Sequence, residues 1–353
     1  MRVDVLIIGQ GLAGTFLAHF LRKSGLSFFI FDEPRSFSAS RAASGIINPI
    51  TGRRLVKTWM IEELMSFAQV AYGELQLELS VNCMTSTQII DFFTTAQMRI
   101  AFLRRLEDDP SFLRIPEDEN CWRERFQYQF GYGIIEPVFL VHISDLLNTF
   151  RREIEKKGHL AEETMDFGRL EVRPEAIRYK DINASYVIFC DGIGSLSIPY
   201  FKSLPFAPNK GEAVIAEIRD WGNESVIFKR GLYIVPMGEG RQWIGSSYSW
   251  EYSDDRPTEA FLKNTEAVLK SWIKNNYRIV EHFASIRPAT VERRPFVGFH
   301  PQFRNVGILN GLGTKGCSLA PYFAAQIASH IAKGTRIDPE ADVNRFARVL
   351  TRK

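Results

Sequence analysis

Residues 3–14 read V-D-V-L-I-I-G-Q-G-L-A-G, a short apolar run that breaks into three glycines, Gly9, Gly11 and Gly14. The run predicts a buried parallel strand, and the residues after it predict a helix ending at Gly25. In the spacing G-x-G-x-x-G, the first glycine allows a tight turn, the second admits a pyrophosphate to the backbone, and the third lets helix and strand pack closely. Free N–H groups and the positive end of the helix dipole then face the phosphates. The stretch therefore predicts a dinucleotide site.

The residues after this helix support that interpretation. A second predicted strand, residues 27–31, is followed by Asp32, whose side chain can accept hydrogen bonds from an adenosine ribose. The alternative is a glycine-rich turn in an unrelated α/β unit. The order of strand, glycines, helix, strand and acidic residue favours the nucleotide site.

The bulk composition is that of an ordinary soluble chain, large enough for two domains. Of 353 residues, 45% are hydrophobic and 24% are charged, and 44 basic against 41 acidic residues leave a net charge of +3. This balance argues against nucleic acid or a membrane as the main partner. Adjacent basic residues such as Arg151 and Arg152 are interpreted as solvated helix faces, in preference to the alternative of a phosphate-binding track.

The four cysteines form no metal or disulfide pattern. Cys83, Cys121, Cys190 and Cys317 lie far apart without a C-x-x-C pair, so neither a structural zinc nor a disulfide framework is indicated. The N-terminal apolar run is only as long as a strand and contains Asp4, which argues against a signal peptide, and no run reaches the length of a membrane helix. We expect a reducing compartment and a cytoplasmic protein.

The remaining chain predicts a second domain interleaved with the first. Residues 209–253 alternate between apolar and polar and predict antiparallel strands, whereas G-L-G-T-K-G at 311–316 opens a second helix whose N-terminus can face a ligand. We predict an α/β fold with a discontinuous Rossmann-like nucleotide-binding domain and a second, α+β substrate domain that contains a mainly antiparallel sheet. The predicted boundaries are 1–80, 133–205 and 288–353 for the first domain, and 81–132 and 206–287 for the second.

Five stretches, taken together in this order, resemble one family. They are G-Q-G-L-A-G at 9–14, A-S-R-A-A-S-G-I-I at 39–47, N-K-G-E at 209–212, L-Y-I-V-P at 232–236 with R-Q-W-I-G at 241–245, and S-I-R-P-A-T-V-E-R-R-P-F-V-G at 285–298 with G-L-G-T-K-G-C-S-L-A-P at 311–321. The sequence resembles the FAD-dependent amino-acid and amine oxidoreductases of the D-amino-acid oxidase type, particularly the glycine oxidases. It is also similar to the FAD domain of the bifunctional enzyme that modifies the wobble uridine of tRNA.

The resemblance implies that the first domain binds FAD noncovalently. The first glycine turn would lie under the pyrophosphate, Asp32 and Glu33 would contact the ribose, residues 41–46 would border the pyrophosphate and the isoalloxazine, and residues 312–318 would pass the pyrimidine end of the flavin. The candidate FAD-binding residues are Gly9, Gly11, Leu12, Ala13, Gly14, Asp32, Glu33, Arg41, Ala42, Ser44, Gly45, Ile46, Gly311, Leu312, Gly313, Thr314, Lys315, Gly316 and Cys317.

The resemblance also implies a site for a small amine or amino acid. Arg287 and Tyr233 would bind the substrate carboxylate, since a guanidinium offers two matched donors and a phenol adds a neutral one. Lys315 and Thr314, at the second helix start, would lie near the negative charge of the reduced flavin. The implied reaction transfers a hydride from the α-carbon of a small amino acid or N-substituted glycine to flavin N5, and water hydrolyses the resulting imine.

The chain departs from the family pattern at three places. Glu292 and Arg293 replace the usual Asp-Gly, Cys190 and Asp191 replace small residues, and Trp243 stands about where monomeric sarcosine oxidases carry a lysine. The substrate, the electron acceptor (oxygen or another) and the oligomeric state stay open. Two alternatives also stay open: trimming of the wobble-uridine side chain of tRNA, and a noncatalytic subunit that binds flavin or NAD.

Overall fold

The computed structural model describes residues 1–33, 38–52, 54–222 and 225–352. Its helices are α1 Leu12–Lys23, α2 Ile61–Leu79, α3 Ala96–Asp108, α4 Ile143–Lys156, α5 Glu259–Trp272, α6 Gly316–Lys333 and α7 Ala347–Leu350. Its strands are β1 Arg2–Ile8, β2 Phe28–Asp32, β3 Ile46–Ile47, β4 Ile50–Thr51, β5 Val56–Lys57, β6 Met84–Phe92, β7 Leu113–Arg114, β8 Tyr132–Val141, β9 Leu160–Glu162, β10 Leu170–Arg173, β11 Ala176–Tyr179, β12 Ile182–Phe189, β13 Asn209–Ile218, β14 Ile227–Arg230, β15 Leu232–Gly238, β16 Arg241–Gly245, β17 Tyr277–Arg287, β18 Phe296–Phe299 and β19 Val306–Asn310. Within the described ranges, no helix is both long and apolar enough to cross a membrane.

An eight-stranded sheet of the described residues carries both glycine motifs. Its strands run in the order β10-β11-β12-β1-β2-β9, and β19 pairs with β12 and with β18. Strand β1 lies parallel to β2 and β12, and its residues 5–8 are all buried. A parallel strand covered on both faces needs such a continuous apolar run, so the first quoted stretch folds as predicted.

A nine-stranded, mainly antiparallel sheet forms the other half of the molecule. Its order is β17-β13-β16-β15-β14-β6-β8-β3, with β7 beside β8. The predicted antiparallel strands within residues 209–253 appear as β13 to β16. Apolar side chains from both sheets and from α1, α2, α4 and α6 form one core, so the two sheets face a shared interior.

One predicted domain boundary differs from the pairing in the structure. The prediction places residues 133–141 in the nucleotide-binding domain, but β8 pairs with β6 along most of its length in the nine-stranded sheet. Strand β3, within residues 1–80, pairs with β8 in the same sheet. An apolar run such as β8 can be buried in either sheet, and its residue pattern does not predict which strand it pairs with.

Candidate active site

The first glycine turn joins β1 to α1, and its backbone carries no side chain at three positions, Gly9, Gly11 and Gly14. Gly9 has a φ of +101°, and a Cβ added there would lie 2.6 Å from the carbonyl oxygen of Cys190. A Cβ on Gly14 would overlap the carbonyl oxygen of Gly9. Helix α1 has no acidic residue in its first turn, and its N-cap residue, Gly11, has no side chain with which to cap it. The N–H of Leu12 donates to Oγ of Ser40 at 3.2 Å, a neutral hydroxyl that leaves the positive end of the helix available to an anion.

The second glycine turn joins β19 to α6 and lies beside the first. Gly311 and Gly313 have φ values of +73° and +55°, in the left-handed region that glycine adopts at low cost. A Cβ on Gly316, the first residue of α6, would lie 3.6 Å from Cδ1 of Leu12, the first residue of α1. Two helix starts far apart in the sequence therefore meet, and both turns line one cavity.

This cavity has a volume of about 920 Å³, within the range of small-molecule and cofactor sites. It is bounded by the glycine turns, the segment around Arg41, and strands β13 and β17. Most of the predicted site residues line it: Gly9, Gly11, Leu12, Ala13, Asp32, Glu33, Arg41, Ala42, Ser44, Gly45, Ile46, Arg287, Leu312, Gly313, Thr314, Gly316 and Cys317. The cavity lining does not include Gly14, Gly311, Lys315 or Tyr233.

Asp32 lies at the end of β2, where both of its oxygens have partners. Oδ1 accepts the N–H of Gln10 at 2.7 Å, and Oδ2 accepts Nη1 of Arg151 at 2.7 Å. Arg151 also donates to Oε1 of Gln10 and to Glu162, and its side chain is only 12% exposed. The prediction of a solvated helix face is therefore wrong for Arg151, because acidic partners from β2 and β9 draw its side chain to the cavity wall.

We expect Arg151→Met to weaken FAD binding about ten-fold, because Asp32 would lose the cation that orients its carboxylate at the cavity wall. Quenching of FAD fluorescence on titration of the apoprotein measures this dissociation constant. Arg152→Met is the matched control, because Arg152 is exposed and donates to Asn148 and Thr149 in the adjacent turn of α4. Equal effects of the two substitutions would contradict the assignment.

Arg287 ends β17, and its guanidinium is held by neutral acceptors. Nη1 donates to Oδ1 of Asn209 at 2.9 Å, Nη2 donates to Oγ of Ser246 at 2.9 Å, and both donate to the carbonyl oxygen of Ser247 at 3.2 and 3.3 Å. The ring of Tyr248 lies 5.6 Å from the guanidinium carbon. Burial lowers the pKa of Arg287 below its ordinary value. Among the described residues, no carboxylate pairs with this cation.

Two residues that the sequence analysis missed set the path of the Arg287 side chain. Gly211 is two residues along β13 from Asn209, the cross-strand partner of Arg287, and a Cβ on Gly211 would overlap the guanidinium nitrogens. Asn209 is fully buried and accepts from Arg287 through its side chain. The signal was present in N-K-G-E, because a glycine inside a strand often marks the close approach of another group.

Tyr233 lies on the face of the nine-stranded sheet that contains the cavity wall. It pairs with Gly245, which pairs with Ala213, and Ala213 lines the cavity. Residues paired across antiparallel strands share a face, so the Tyr233 side chain is directed to the shared interior. Ser246, which holds Arg287, directly follows Gly245, so the register brings the predicted carboxylate ligands toward one another.

Thr314 and Lys315 occupy different surroundings at the start of α6. Thr314 is exposed and lines the cavity, whereas Lys315 is half-buried outside the lining. Burial, together with the charges of Arg294 and Arg293, lowers the pKa of Lys315. The predicted role of Lys315 beside the flavin is therefore not supported by a position on the cavity wall.

Comparison with known proteins identifies the class. The model of the family DAO, FAD dependent oxidoreductase, matches residues 4–330, and the chain belongs to this family. It is 27% identical over 350 residues to glycine oxidase of Bacillus subtilis (strain 168), covering 93% of this chain and 92% of that protein. The fold matches the crystal structure of glycine oxidase from Geobacillus kaustophilus with a TM-score of 0.78 at 19% identity, covering 100% of this chain and 99% of that one. It matches iminodiacetate oxidase from Chelativorans sp. BNC1 with a TM-score of 0.73 at 18% identity, covering 95% and 96%.

Membership in the family makes this chain an FAD-dependent oxidoreductase, and the predicted fold class is confirmed. The cavity suits that cofactor on structural grounds. Gly9 and Gly14 leave the backbone of the first turn without side chains. This turn lies next to the starts of α1 and α6, and neither helix has an acidic residue in its first turn. Such N-termini favour a pyrophosphate, whose charge complements the helix dipoles.

Proposed function

We propose that this enzyme oxidises the C–N bond of a small amino acid or an N-substituted glycine to an imine, which water then hydrolyses. The observation that carries the proposal is Arg287, a partly buried cation on the cavity wall with no carboxylate partner among the described residues. A buried charge without a counter-ion is costly, and a substrate carboxylate removes that cost. The amines named for the related enzymes, glycine and iminodiacetate, both carry a carboxylate.

The neutral acceptors around Arg287 orient the guanidinium without neutralising it. Its two bonds to the Ser247 carbonyl are the longest of the set, at 3.2 and 3.3 Å. Charge-assisted bonds to a carboxylate are shorter and about twice as strong as bonds to a neutral acceptor. A carboxylate can therefore replace the Ser247 bonds while Asn209 and Ser246 keep the guanidinium in place.

FAD, held noncovalently, would supply the hydride acceptor for this oxidation. The first glycine turn would hold its pyrophosphate, Asp32 and Glu33 its ribose, and residues 41–46 and 311–317 its flavin end. Arg287 and Tyr233 would fix the substrate by its carboxylate and so present the α-carbon to the cofactor. Such positioning requires no side-chain base, provided that the amine binds in its neutral form.

We expect Arg287→Ala to lower kcat/KM for a carboxylated amine by about 100- to 1,000-fold, mostly through KM, because truncating one partner of a buried charge pair costs about 3–4 kcal/mol. Arg287→Lys should recover only part of the loss, since an ammonium lacks the planar pair of donors. The measurement is anaerobic bleaching of the bound flavin against a panel of amino acids, N-methyl amino acids and simple amines without a carboxylate.

Three outcomes would count against the proposal. An unaltered KM in Arg287→Ala would remove the carboxylate site. Faster bleaching by simple amines than by amino acids would change the substrate class. Bleaching by no member of the panel would favour the noncatalytic flavin-binding subunit.

A further inference from the structure

The amide orientation of Asn48 is determined by its neighbours. Asn48 lies between β3 and β4, and its Oδ1 accepts the N–H of Ile50 at 2.9 Å. Its backbone carbonyl accepts the hydroxyl of Thr58 at 3.2 Å. Because a backbone N–H can only donate, the side-chain oxygen must face Ile50. The Nδ2 group must then point the other way.

Nδ2 of Asn48 points at Tyr233 and donates to its hydroxyl oxygen at 3.3 Å. A phenol has one proton to donate and lone pairs with which to accept. With an accepting position taken by Asn48, the proton of Tyr233 is directed away from Asn48. Among the described residues, no protein atom accepts that proton.

The ring of Tyr233 is also fixed, by a buried ion pair. Lys229 lies opposite Tyr233 in the hairpin of β14 and β15, and its Nζ is 5.7 Å from the ring centroid. Asp91 pairs with Lys229 at 2.6 Å, and these side chains are 3% and 18% exposed. Although burial alone would lower the pKa of Lys229, the Asp91 carboxylate raises it. A cation held over the ring leaves little freedom for the phenol to turn.

We propose that Asn48 is a positioning residue that makes Tyr233 a hydrogen-bond donor to the carboxylate of the bound substrate. The inference rests on the proposed function, because it requires an anion beside Arg287. It adds to that function the direction in which the Tyr233 hydroxyl donates its proton, and it names Asn48 as the residue that sets this direction. A hydroxyl whose acceptor position is filled by an amide N–H favours a carboxylate over an ammonium group, which has no acceptor, and over a neutral amide, whose carbonyl oxygen is the weaker acceptor. Asn48 thereby contributes to substrate class without touching the substrate.

The test is a double-mutant cycle on carboxylate binding by the FAD-loaded protein. Asn48→Leu, Tyr233→Phe and the double variant are titrated with sodium acetate, and with acetamide as the uncharged comparison, while perturbation of the flavin absorbance is followed. We expect Asn48→Leu to raise the acetate dissociation constant about five-fold, the value of one hydrogen bond. In the Tyr233→Phe background the same substitution should have no effect. Acetamide binding should respond less than acetate binding, because its carbonyl oxygen is a neutral acceptor.

Two controls separate a positioning role from a structural one. Asn183→Leu, on the exposed side of β12, should change neither binding nor FAD content. Asn48→Asp keeps the acceptor for Ile50, but its second carboxylate oxygen accepts the Tyr233 proton. It should therefore weaken acetate binding more than Asn48→Leu does. In the Tyr233→Phe background, the loss of acetate affinity caused by Asn48→Asp should be smaller. It also provides the measurement if Asn48→Leu does not fold.

Arg287→Ala distinguishes the two levels of the proposal. If Arg287→Ala abolishes acetate binding but the effects of Asn48→Leu and Tyr233→Phe are additive, the role of Asn48 is wrong and the proposed function stands. If acetate binding is unchanged in Arg287→Ala, the carboxylate site is wrong and both proposals fall. Loss in Arg287→Ala together with a non-additive cycle supports both.

Discussion

Replacing Gly211 with alanine is expected to lower kcat/KM for a carboxylated amine about 100-fold, although the substitution adds one methyl group on a strand and removes no functional group. The added Cβ would overlap the guanidinium nitrogens of Arg287, so the side chain must leave its position. Its bonds to Asn209 and Ser246 would then be lost. Steady-state kinetics should show the loss mainly in KM, because the carboxylate loses its binding partner while the cofactor site is unchanged.

Gly73→Ala is the matched control for the substitution at Gly211. Gly73 lies within α2, and beyond its own helix backbone no atom of the described part of the chain lies within 4 Å of a Cβ added there. The control should leave kinetics unchanged and stabilise the helix by about 0.5–1 kcal/mol. In the Arg287→Ala background, Gly211→Ala should have no further effect on KM. A further loss there would mean that Gly211 acts on the strand itself rather than through Arg287.

The nucleotide end of the site is predictable from sequence because its geometry is local. The turn between β1 and α1 lies within the stretch that contains Gly9 and Gly14, and the collision that excludes a side chain at Gly14 involves Gly9 of that same stretch. The spacing of glycines between a strand and a helix is therefore sufficient to predict it. Asp32 follows by the same logic, since it ends the next parallel strand.

The part of the site that would bind the substrate carboxylate depends on the register between strands that are distant in the sequence, and the sequence pattern does not predict that register. Arg287 meets Asn209 because β13 and β17 pair in one register, and it meets Ser246 through the neighbouring β16. A shift of one residue would turn each side chain to the other face. Arg287 itself was predicted through the family resemblance. N-K-G-E marks a glycine inside a strand, but that Asn209 and Gly211 support Arg287 follows only from the strand pairing.

Arg151 and β8 illustrate a second limit. On sequence alone, Arg151 is one of several charged residues on a helix, and its contact with Asp32 requires knowing that α4 lies against the ends of β2 and β9. Strand β8 reads as a buried apolar run in either sheet, and only its pairing with β6 assigns it. Local patterns predict elements, but long-range contacts decide which elements share a site.

Gly14→Ala is expected to weaken FAD binding by about 10- to 100-fold and to lower the melting temperature of the apoprotein. The added Cβ would overlap the carbonyl oxygen of Gly9 and lie 3.0 Å from its carbonyl carbon. Both atoms belong to the main chain, so no side-chain rotation relieves the collision and α1 must move away from β1. That movement withdraws the N–H groups of α1 from the pyrophosphate position and also opens the core beneath the helix.

Gly11→Ala separates these two consequences of the change at Gly14. A Cβ on Gly11 would lie 2.8 Å from Oγ of Ser40, a side-chain atom that can rotate, so helix packing should survive. The methyl group would still stand where the backbone must approach the pyrophosphate. We therefore expect Gly11→Ala to weaken FAD binding while the apoprotein melts as the wild type does, measured by fluorescence quenching and circular dichroism. The collision at Gly14 involves main-chain atoms of Gly9, so it cannot be relieved without moving α1 away from β1. Wild-type FAD affinity and wild-type apoprotein stability in Gly14→Ala would therefore show that close packing of α1 on β1 does not hold the cofactor.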